Sequence, residues 1–136
     1  MEELRGGADV VLKKIMRQAA AERASDVHIE PGASFVRVRF RKDGLLSDRF
    51  CLSSSMAPNL SVRVKVLGRL DVGESRLPQD GSWAEEIDGV PYDFRISVLP
   101  SMYGETIVIR ILSGRVNFIE KNELGIRKKQ ESLYLR

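Results

Sequence analysis

The sequence is poor in the residues that build covalent or metal-bound frameworks. It has one cysteine, Cys51, and one histidine, His28, in 136 residues. A single cysteine excludes an intrachain disulfide and a cysteine-rich zinc site, and a single histidine excludes sites that need two histidine ligands. We therefore expect a reducing compartment, an inert buried thiol at Cys51 and no bound metal.

Long apolar runs and phosphate-binding loops are also missing. No segment approaches the ~20 apolar residues of a membrane span, and the first residues lack the apolar core of a secretory signal. The motifs G-x-x-x-x-G-K-[ST], G-x-G-x-x-G and G-x-S-x-G do not occur. Without a phosphate loop or a nucleophile elbow, we expect no enzyme activity from this chain alone.

The composition that remains is typical of a soluble globular domain. Hydrophobic residues make up 43% and charged residues 30% of the chain, and the net charge is +3. This length fits one domain with a short tail. The mild positive charge permits an anionic partner but does not require one.

Hydrophobic periodicity predicts an α+β fold. Helical spacing favours a helix at 8–23, and alternation favours strands at 26–30, 36–41, 45–52, 82–87, 92–98 and 106–112. Asp43-Gly44 and Asp88-Gly89 are typical of hairpin turns, and 100–104 turns the chain again, so the strands should form an antiparallel meander. Segments 53–58 and 71–81 are expected to be loops, with Asp80-Gly81 serving a turn, and 117–124 a short helix.

Segment 59–70 is ambiguous from its residues alone. Val62, Val64 and Val66 alternate with polar residues as in a strand, whereas Leu60, Val64 and Leu67 form a helical stripe. Local propensity favours the strand. The apolar residues at 133–135 have nothing after them to pack on, which suggests a longer parent protein.

Three blocks together resemble one family. They are Ala24-Ser25-Asp26-Val27-His28-Ile29-Glu30-Pro31 with the strand to Asp43-Gly44, then Arg76-Leu77-Pro78-Gln79-Asp80-Gly81, and Tyr92-Asp93-Phe94-Arg95-Ile96-Ser97 with Gly104-Glu105 and Val108-Ile109-Arg110-Ile111-Leu112. In this order they resemble the middle domain of the type II secretion and type IV pilus assembly ATPases, over about residues 8–125. Ser82 and Tyr103 depart from the family pattern, which often has arginine and histidine there.

The resemblance implies a PAS-like domain, an antiparallel sheet with flanking helices, at 1–112. It also implies that 113–136 is a linker towards a missing RecA-like motor domain, and it moves 59–70 to a helix. The parent would be a cytoplasmic hexamer, peripheral to the inner membrane. Its partners would be its own motor domain, neighbouring subunits and the inner-membrane secretion or pilus platform. ATP and magnesium belong to the motor, and this chain has no cofactor of its own.

The same resemblance suggests a role for three arginines. In the family, arginines of this domain reach towards nucleotide held by the motor. By motif position the candidates are Arg76, Arg95 and Arg110. Arginine suits phosphate because it stays charged and binds two oxygens at once. For each of the three, a solvated or structurally paired arginine is about as plausible.

Other polar residues carry weaker hypotheses. Arg37, Arg39 and Arg41 share a strand face and form a possible interface, although an exposed sheet face is the simpler reading. Neighbours among Asp26, His28 and Glu30 would stand ~7 Å apart on one face, so a hydrogen-bonded face is favoured over a metal site. Trp83, Tyr92 and Phe94 are expected in the core.

Two alternative functions remain open at this point. A ligand-sensing PAS-type module would need a sizeable apolar pocket with a few polar groups. A basic nucleic-acid binding module would use the 37–41 arginines, and its affinity would fall steeply with salt. Nucleic acid is not expected, because Phe40 points away from that arginine face and base stacking requires aromatic side chains beside the cations.

Overall fold

A single mixed sheet and two helices account for the described part of the chain. The computed structural model describes residues 1–113, so the predicted helix at 117–124 and nearly all of the predicted linker lie outside the described residues. The elements are β1 Glu2–Glu3, α1 Ala8–Ala21, β2 Asp26–Pro31, β3 Phe35–Lys42, β4 Leu45–Ser53, α2 Met56–Gly68, β5 Gln79–Ile87, β6 Val90–Ser101 and β7 Gly104–Ser113. Neither α1 nor α2 has the length and apolarity that crossing a membrane requires.

The sheet joins two three-stranded units along its central strand. Its strand order is β1-β4-β3-β2-β7-β6-β5. Each unit, β2-β3-β4 and β5-β6-β7, is the antiparallel meander that the turn signals predict. Strand β2 then pairs with β7, where residues 26–29 lie opposite residues 107–110. The α+β prediction is confirmed, while the PAS-like description stays a prediction.

Strand β1 corrects the expectation of a wholly antiparallel sheet. Its two residues pair in parallel with Phe50 and Cys51 of β4, and the next residue, Leu4, continues the contact through its N–H to the Cys51 carbonyl. A strand of two residues is too short to show alternation, so its sequence carries no signal. The pairing covers part of the outer edge of β4.

Alternation along the strands separates an apolar face from a polar one. The predicted core residues Val36, Val38 and Phe40 are buried with Phe94 and with Ile107 and Ile109 of β7. The rings of Trp83 and Tyr92 lie 4.8 and 5.8 Å from that of Phe94 and are partly buried against the core. Both helices cover this face through buried residues, which are Val11, Leu12, Ile15, Met16 and Ala19 of α1 and chiefly Leu60 and Val64 of α2.

Two predicted turns adopt the backbone that their residues favour. Asp43 and Gly44 have φ of 52° and 81°, and Asp88 and Gly89 have φ of 51° and 80°. A two-residue hairpin of this kind needs φ above zero at both positions, which aspartate tolerates and glycine adopts freely. Both hairpin predictions are confirmed.

Helix α1 is slightly shorter than predicted. It ends at Ala21, because Arg23 turns into the left-handed region with φ of 60°. The N–H of Ala24 then bonds to the Ala19 carbonyl at 2.9 Å, which satisfies one of the free carbonyls at the helix end. This turn directs the chain into β2.

Helix α2 confirms a helix in the ambiguous segment and corrects the loop expected at 53–58. The helix starts at Met56, so Pro58 lies inside its first turn. Proline is tolerated there because a first-turn N–H has no partner within the helix. Leu60 and Val64 are fully buried, whereas Val62 and Val66 are exposed, so the helical stripe gives the correct orientation.

Strand β5 corrects the expected loop at 71–81. The strand begins at Gln79, and Asp80 and Gly81 pair with Ser97 and Ile96 instead of forming a turn. A Cβ on Gly81 would lie 2.8 Å from the carbonyl oxygen of Gly68. The glycine therefore permits the end of α2 to approach the strand backbone, which is one reason for glycine within a strand.

We expect Gly81→Ala to destabilise the fold, because its new Cβ would meet backbone as well as the Leu70 side chain. Overpacking of this kind typically costs about 1–3 kcal/mol of unfolding free energy. Chemical denaturation measures the difference. Gly73→Ala is the control, since the nearest atom to its Cβ is 3.6 Å away. Equal stability of the two variants would contradict the close approach.

Candidate functional site

Five of the six arginines that the sequence singles out, all except Arg76, lie on the face of the sheet opposite α1 and α2, which we call the open face. It is built from the alternate positions of the strands that do not enter the core. Because side chains along a strand alternate between faces, the 37–41 arginines share this face with the polar positions of β2, β6 and β7. The open face is therefore charged where the opposite face is apolar.

One row of side chains crosses five neighbouring strands of the open face. Register places Ser82 opposite Arg95, Arg95 opposite Arg110, Arg110 opposite Asp26, and Asp26 opposite Arg41. Strands lie about 4.8 Å apart, so Arg95 and Arg41 are separated by about 14 Å. The structure thus brings Arg95 and Arg110 side by side, as the adjacent predicted strands imply.

Asp26 is a nearly buried carboxylate within this row. Its Oδ1 lies 3.4 Å from Nε of Arg110, and its Oδ2 lies 3.3 Å from Nε of Arg41. The Ser25 hydroxyl donates to Oδ2 at 3.3 Å. A buried carboxylate needs such partners to offset its lost hydration, so Asp26 depends on cations from both neighbouring strands.

Arg95 and Arg110 keep most of their side chains in solvent. Their side chains are 61% and 70% exposed, and Arg95 donates from Nε to Asp93 at 3.1 Å. Arginine has five N–H donors, and each of these contacts uses Nε alone. Like charges directly opposite on neighbouring strands repel each other. Each guanidinium group therefore keeps terminal N–H donors that an external anion can use.

The structure does not join Arg76 to this pair. Arg76 is exposed in the connection between α2 and β5. Gln79, where β5 begins, lies three residues, or about 10 Å along the strand, from the position opposite Arg95. No contact of Arg76 with Arg95 or Arg110 occurs within residues 1–113. The three candidates thus form a pair and a separate loop residue.

The 37–41 arginines are engaged with acids of β2. Arg39 donates to both carboxylate oxygens of Glu30, at 3.0 and 2.8 Å, and Nε of Arg37 lies 3.5 Å from Glu30. Burial would raise the pKa of Glu30, but the hydrogen bonds from Arg39 and the charges of Arg39, Arg37 and His28 outweigh burial and hold that pKa below its ordinary value. The bond to Glu30 raises the pKa of Arg39.

These ion pairs bear on two of the weaker hypotheses. Asp26 and Glu30 both accept from arginines, and His28 Nδ1 lies 3.6 Å from Glu30, which is the hydrogen-bonded face that the spacing favours. Among residues 1–113, no group of three metal-ligating side chains is placed to hold an ion. Arg39, which forms the bidentate pair, has the least freedom to bind nucleic acid phosphates.

The remaining singled-out residues occupy exposed or half-buried places. Cys51 is half-buried on the open face opposite Arg37, which corrects the expectation of a buried thiol, because its strand position points away from the core. Ser82 is exposed beside Arg95, and Tyr103 is 52% exposed at the β6–β7 turn. Neither side chain packs in the hydrophobic core.

Two surface depressions bear on the ligand-sensing alternative. One, of about 480 Å³, lies along the outer face of α1 and is lined by Val10, Lys13, Lys14, Arg17, Gln18, Ala21 and Asp88. The other, of about 320 Å³, surrounds the turn between β2 and β3. Both are open depressions with charged side chains in their linings, unlike the enclosed apolar pocket that a ligand-sensing module needs.

Sequence reasoning missed one buried ion pair. Lys65 of α2 is 2% exposed, and its Nζ lies 2.9 Å from Oε2 of Glu105 at the start of β7. The sequence places Lys65 in an alternating Val-Lys-Val run, which favoured reading it as a solvent-facing strand residue. Glu105 belongs to the recognised Gly104-Glu105 pair, and that pair was the only available signal.

We expect Glu30→Gln to destabilise the fold at neutral pH and to have less effect in acid. Because folding lowers the pKa of Glu30, its ionisation stabilises the protein above the ordinary value of 4.5. This contribution is lost as pH falls through the lower pKa of the folded state. Urea unfolding at pH 7 and about pH 3 measures the change. Glu86→Gln, at an exposed position of β5, is the control.

A difference between the Glu30 variant and the parent that stays constant with pH would contradict the ion-pair assignment. A difference that shrinks in acid, with no matching change for the Glu86 variant, would support it.

Comparison with known proteins agrees with the three blocks. The family model described as "Type II/IV secretion system protein" matches residues 5–136. The "Protein transport protein HofB homolog" of Escherichia coli K12 is 40% identical over 120 residues, which are 88% of this chain and 26% of the relative. The "Type II secretion system ATPase E" of Vibrio cholerae is 36% identical over 116 residues, 85% of this chain and 23% of the relative.

A solved structure supports the fold. The X-ray structure of the Legionella pneumophila ATPase DotB superposes with a TM-score of 0.54 at 17% identity, covering 81% of this chain and 30% of that one. The chain spans about a quarter of the length of the curated relatives it matches. The match over residues 5–136, together with these relatives, shows that the chain belongs to the type II/IV secretion system protein family.

Proposed function

We propose that this chain is a non-catalytic regulatory cap domain of an ATPase that powers type II secretion or type IV pilus assembly. In this proposal the cap closes on nucleotide bound by a RecA-like motor domain of the same protein. Arg95 and Arg110 then face the phosphates. Closure excludes water and completes the charge around the transferring phosphoryl group.

The observation that carries the proposal is the directly opposed, largely exposed pair Arg95 and Arg110. Phosphoryl transfer spreads negative charge over the equatorial oxygens, so added cations stabilise its transition state. The sheet fixes the backbones of both arginines on neighbouring strands, and a rigid support lowers the entropy cost of placing their side chains. The similarity to a relative named an ATPase supports a nucleotide as the anion that the pair would meet.

Arg76 enters this proposal as a separate contact. Its loop is attached to the helical side of the sheet, while the Arg95 and Arg110 pair lies on the open face. A nucleotide-bearing partner that reaches all three would have to extend past the edge strand β5. The proposed partners are the motor domain, neighbouring subunits of a hexamer and the inner-membrane platform, at the cytoplasmic side of the membrane.

We expect Arg95→Ala and Arg110→Ala to lower ATP turnover of the full-length protein by at least about tenfold each, since donors aimed at developing charge are commonly worth more than that. Phosphate release at saturating ATP measures the rate. Thermal unfolding of each variant checks that the domain stays folded; in Arg110→Ala, Arg41 still pairs with Asp26.

Two further variants make this test specific. Arg17→Ala removes an exposed arginine that pairs with Asp88 on the helical side, and it should leave turnover unchanged. Arg110→Lys keeps the charge but loses the bidentate geometry, so it should retain part of the rate. Full turnover in both Arg95→Ala and Arg110→Ala would contradict the phosphate-facing role of these two arginines.

The chain on its own is expected neither to hydrolyse ATP nor to hold it tightly. Its sequence has no Walker-type loop to wrap the phosphates, and two exposed arginines alone give a weak anion site in water. Phosphate release and equilibrium binding of ATP with magnesium test this directly. If the isolated chain hydrolyses ATP, and if Arg95→Ala abolishes that hydrolysis while Arg17→Ala does not, this domain has a catalytic site of its own.

A further inference from the structure

The connection between α2 and β5, residues 69–78, is held by few side chains. We call it the 69–78 loop; it contains neither helix nor strand and carries Arg76. Loops of this length are commonly mobile unless their backbone polar groups are bonded. The partners of those groups therefore determine how firmly Arg76 is placed.

Lys65 provides a buried anchor for this loop. Its Nζ donates to the carbonyl oxygen of Glu74 as well as pairing with Glu105. The side chains of Lys65 and Glu105 are 3% and 10% exposed. A buried ammonium group requires compensating partners, so the Glu74 carbonyl is part of a set that can be broken only at considerable cost.

Glu74 transmits this anchoring to Arg76. Its Oε2 accepts the backbone N–H of Arg76 at 2.7 Å and that of Leu77 at 3.1 Å. Glu74 is thus fixed at its carbonyl by Lys65 and binds the Arg76 backbone through its side chain. These bonds connect the buried ammonium group to the loop backbone at Arg76.

Gln79 closes the same loop from the other end. Its Oε1 accepts the N–H of Asp71 at 2.8 Å, and its Nε2 donates to the Asp71 carbonyl at 2.9 Å and to the Glu74 carbonyl at 3.3 Å. The Glu74 carbonyl therefore receives both Lys65 and Gln79. Of these two donors, Lys65 is the buried one and the only one that is charged.

We propose that Lys65 is a positioning residue that holds the 69–78 loop in one conformation and thereby fixes Arg76. The link to ATP turnover rests on the proposed function, whereas the link to loop order does not. A loop that is already ordered loses less conformational entropy when its arginine binds an anion. Lys65 touches no nucleotide in this proposal and acts only through Glu74.

Trypsin cleavage of the full-length protein after Arg76 reports on loop order without nucleotide. Lys65→Met should speed cleavage of the Arg76–Leu77 bond at least about tenfold, because native-state proteolysis follows the population of the opened loop. Mass spectrometry identifies the bond. Lys14→Met is the matched control: it also removes one tryptic lysine, and Lys14 is an exposed partner of Glu2.

A second variant separates loop order from global stability. Lys65→Met combined with Glu105→Leu removes both buried charges, and replacing a buried ion pair with apolar residues commonly leaves stability unchanged or higher. The double variant should fold with at least parental stability yet still be cleaved faster after Arg76. Parental cleavage rates in this stable double variant would overturn the proposal, whether or not Lys65→Met alone folds.

Turnover in the full-length protein tests the second half of the proposal. Lys65→Met should lower turnover of the otherwise unmodified protein and of the Arg95→Ala variant. In the Arg76→Ala variant it should cause no further loss of turnover. An equal loss in all three backgrounds would overturn action through Arg76. If Arg76→Ala leaves turnover unchanged while cleavage after Arg76 still depends on Lys65, the proposed function of Arg76 fails and the positioning of the loop stands.

Discussion

The pairing of β2 with β7 is the constraint on which the open face depends. Without these four residue pairs, β2-β3-β4 and β5-β6-β7 would be two separate units, and Arg110 would not meet Asp26. This pairing sets the register of one unit relative to the other. A slip of one residue would place the apolar side chains of one unit on the same face as the polar side chains of the other. The pairing therefore establishes a common core and a common row of charges in the same step.

Some arginines of the open face are held in ion pairs that stabilise the fold, whereas others are exposed and can bind an external anion. Arg39 and Glu30 form a bidentate pair that is mostly shielded from water, so breaking it would leave a poorly solvated carboxylate. Arg95 and Arg110 make single contacts through Nε and remain in solvent, so their terminal nitrogens can bind an external anion without giving up those contacts. The distinction lies in solvent exposure and not in residue type.

The local sequence pattern predicted most strands, the two Asp-Gly hairpin turns and the buried face of the strands. The alternation of Val36, Val38 and Phe40 with arginines gave the correct faces, and Asp-Gly pairs gave the correct turns. Segment 59–70 needed the family resemblance, because its valines alternate while its leucines follow a helix. The start of β5 was missed, since Asp80-Gly81 resembles a turn until the approach of α2 explains the glycine.

Long-range contacts could not be predicted from the sequence. The order of the two units, the parallel pairing of β1 and the burial of Lys65 against Glu105 all join segments that are distant along the chain. The family motifs pointed to Arg76, Arg95 and Arg110 together, and the predicted strands and loop already set Arg76 apart, but only the structure shows that Arg95 and Arg110 lie directly opposite each other. Motif position predicts candidate residues, whereas register decides which of them are neighbours.

The position of β5 at the end of the strand order has a consequence for association. Its outer edge offers backbone donors and acceptors that pair with no other strand in residues 1–113, whereas β1 covers part of the opposite edge. Exposed Asp80 and Glu86 lie on this strand, and charged side chains of this kind discourage two such edges from joining. The acidic side chains of β5 thus disfavour pairing of this edge with the same edge of a second copy.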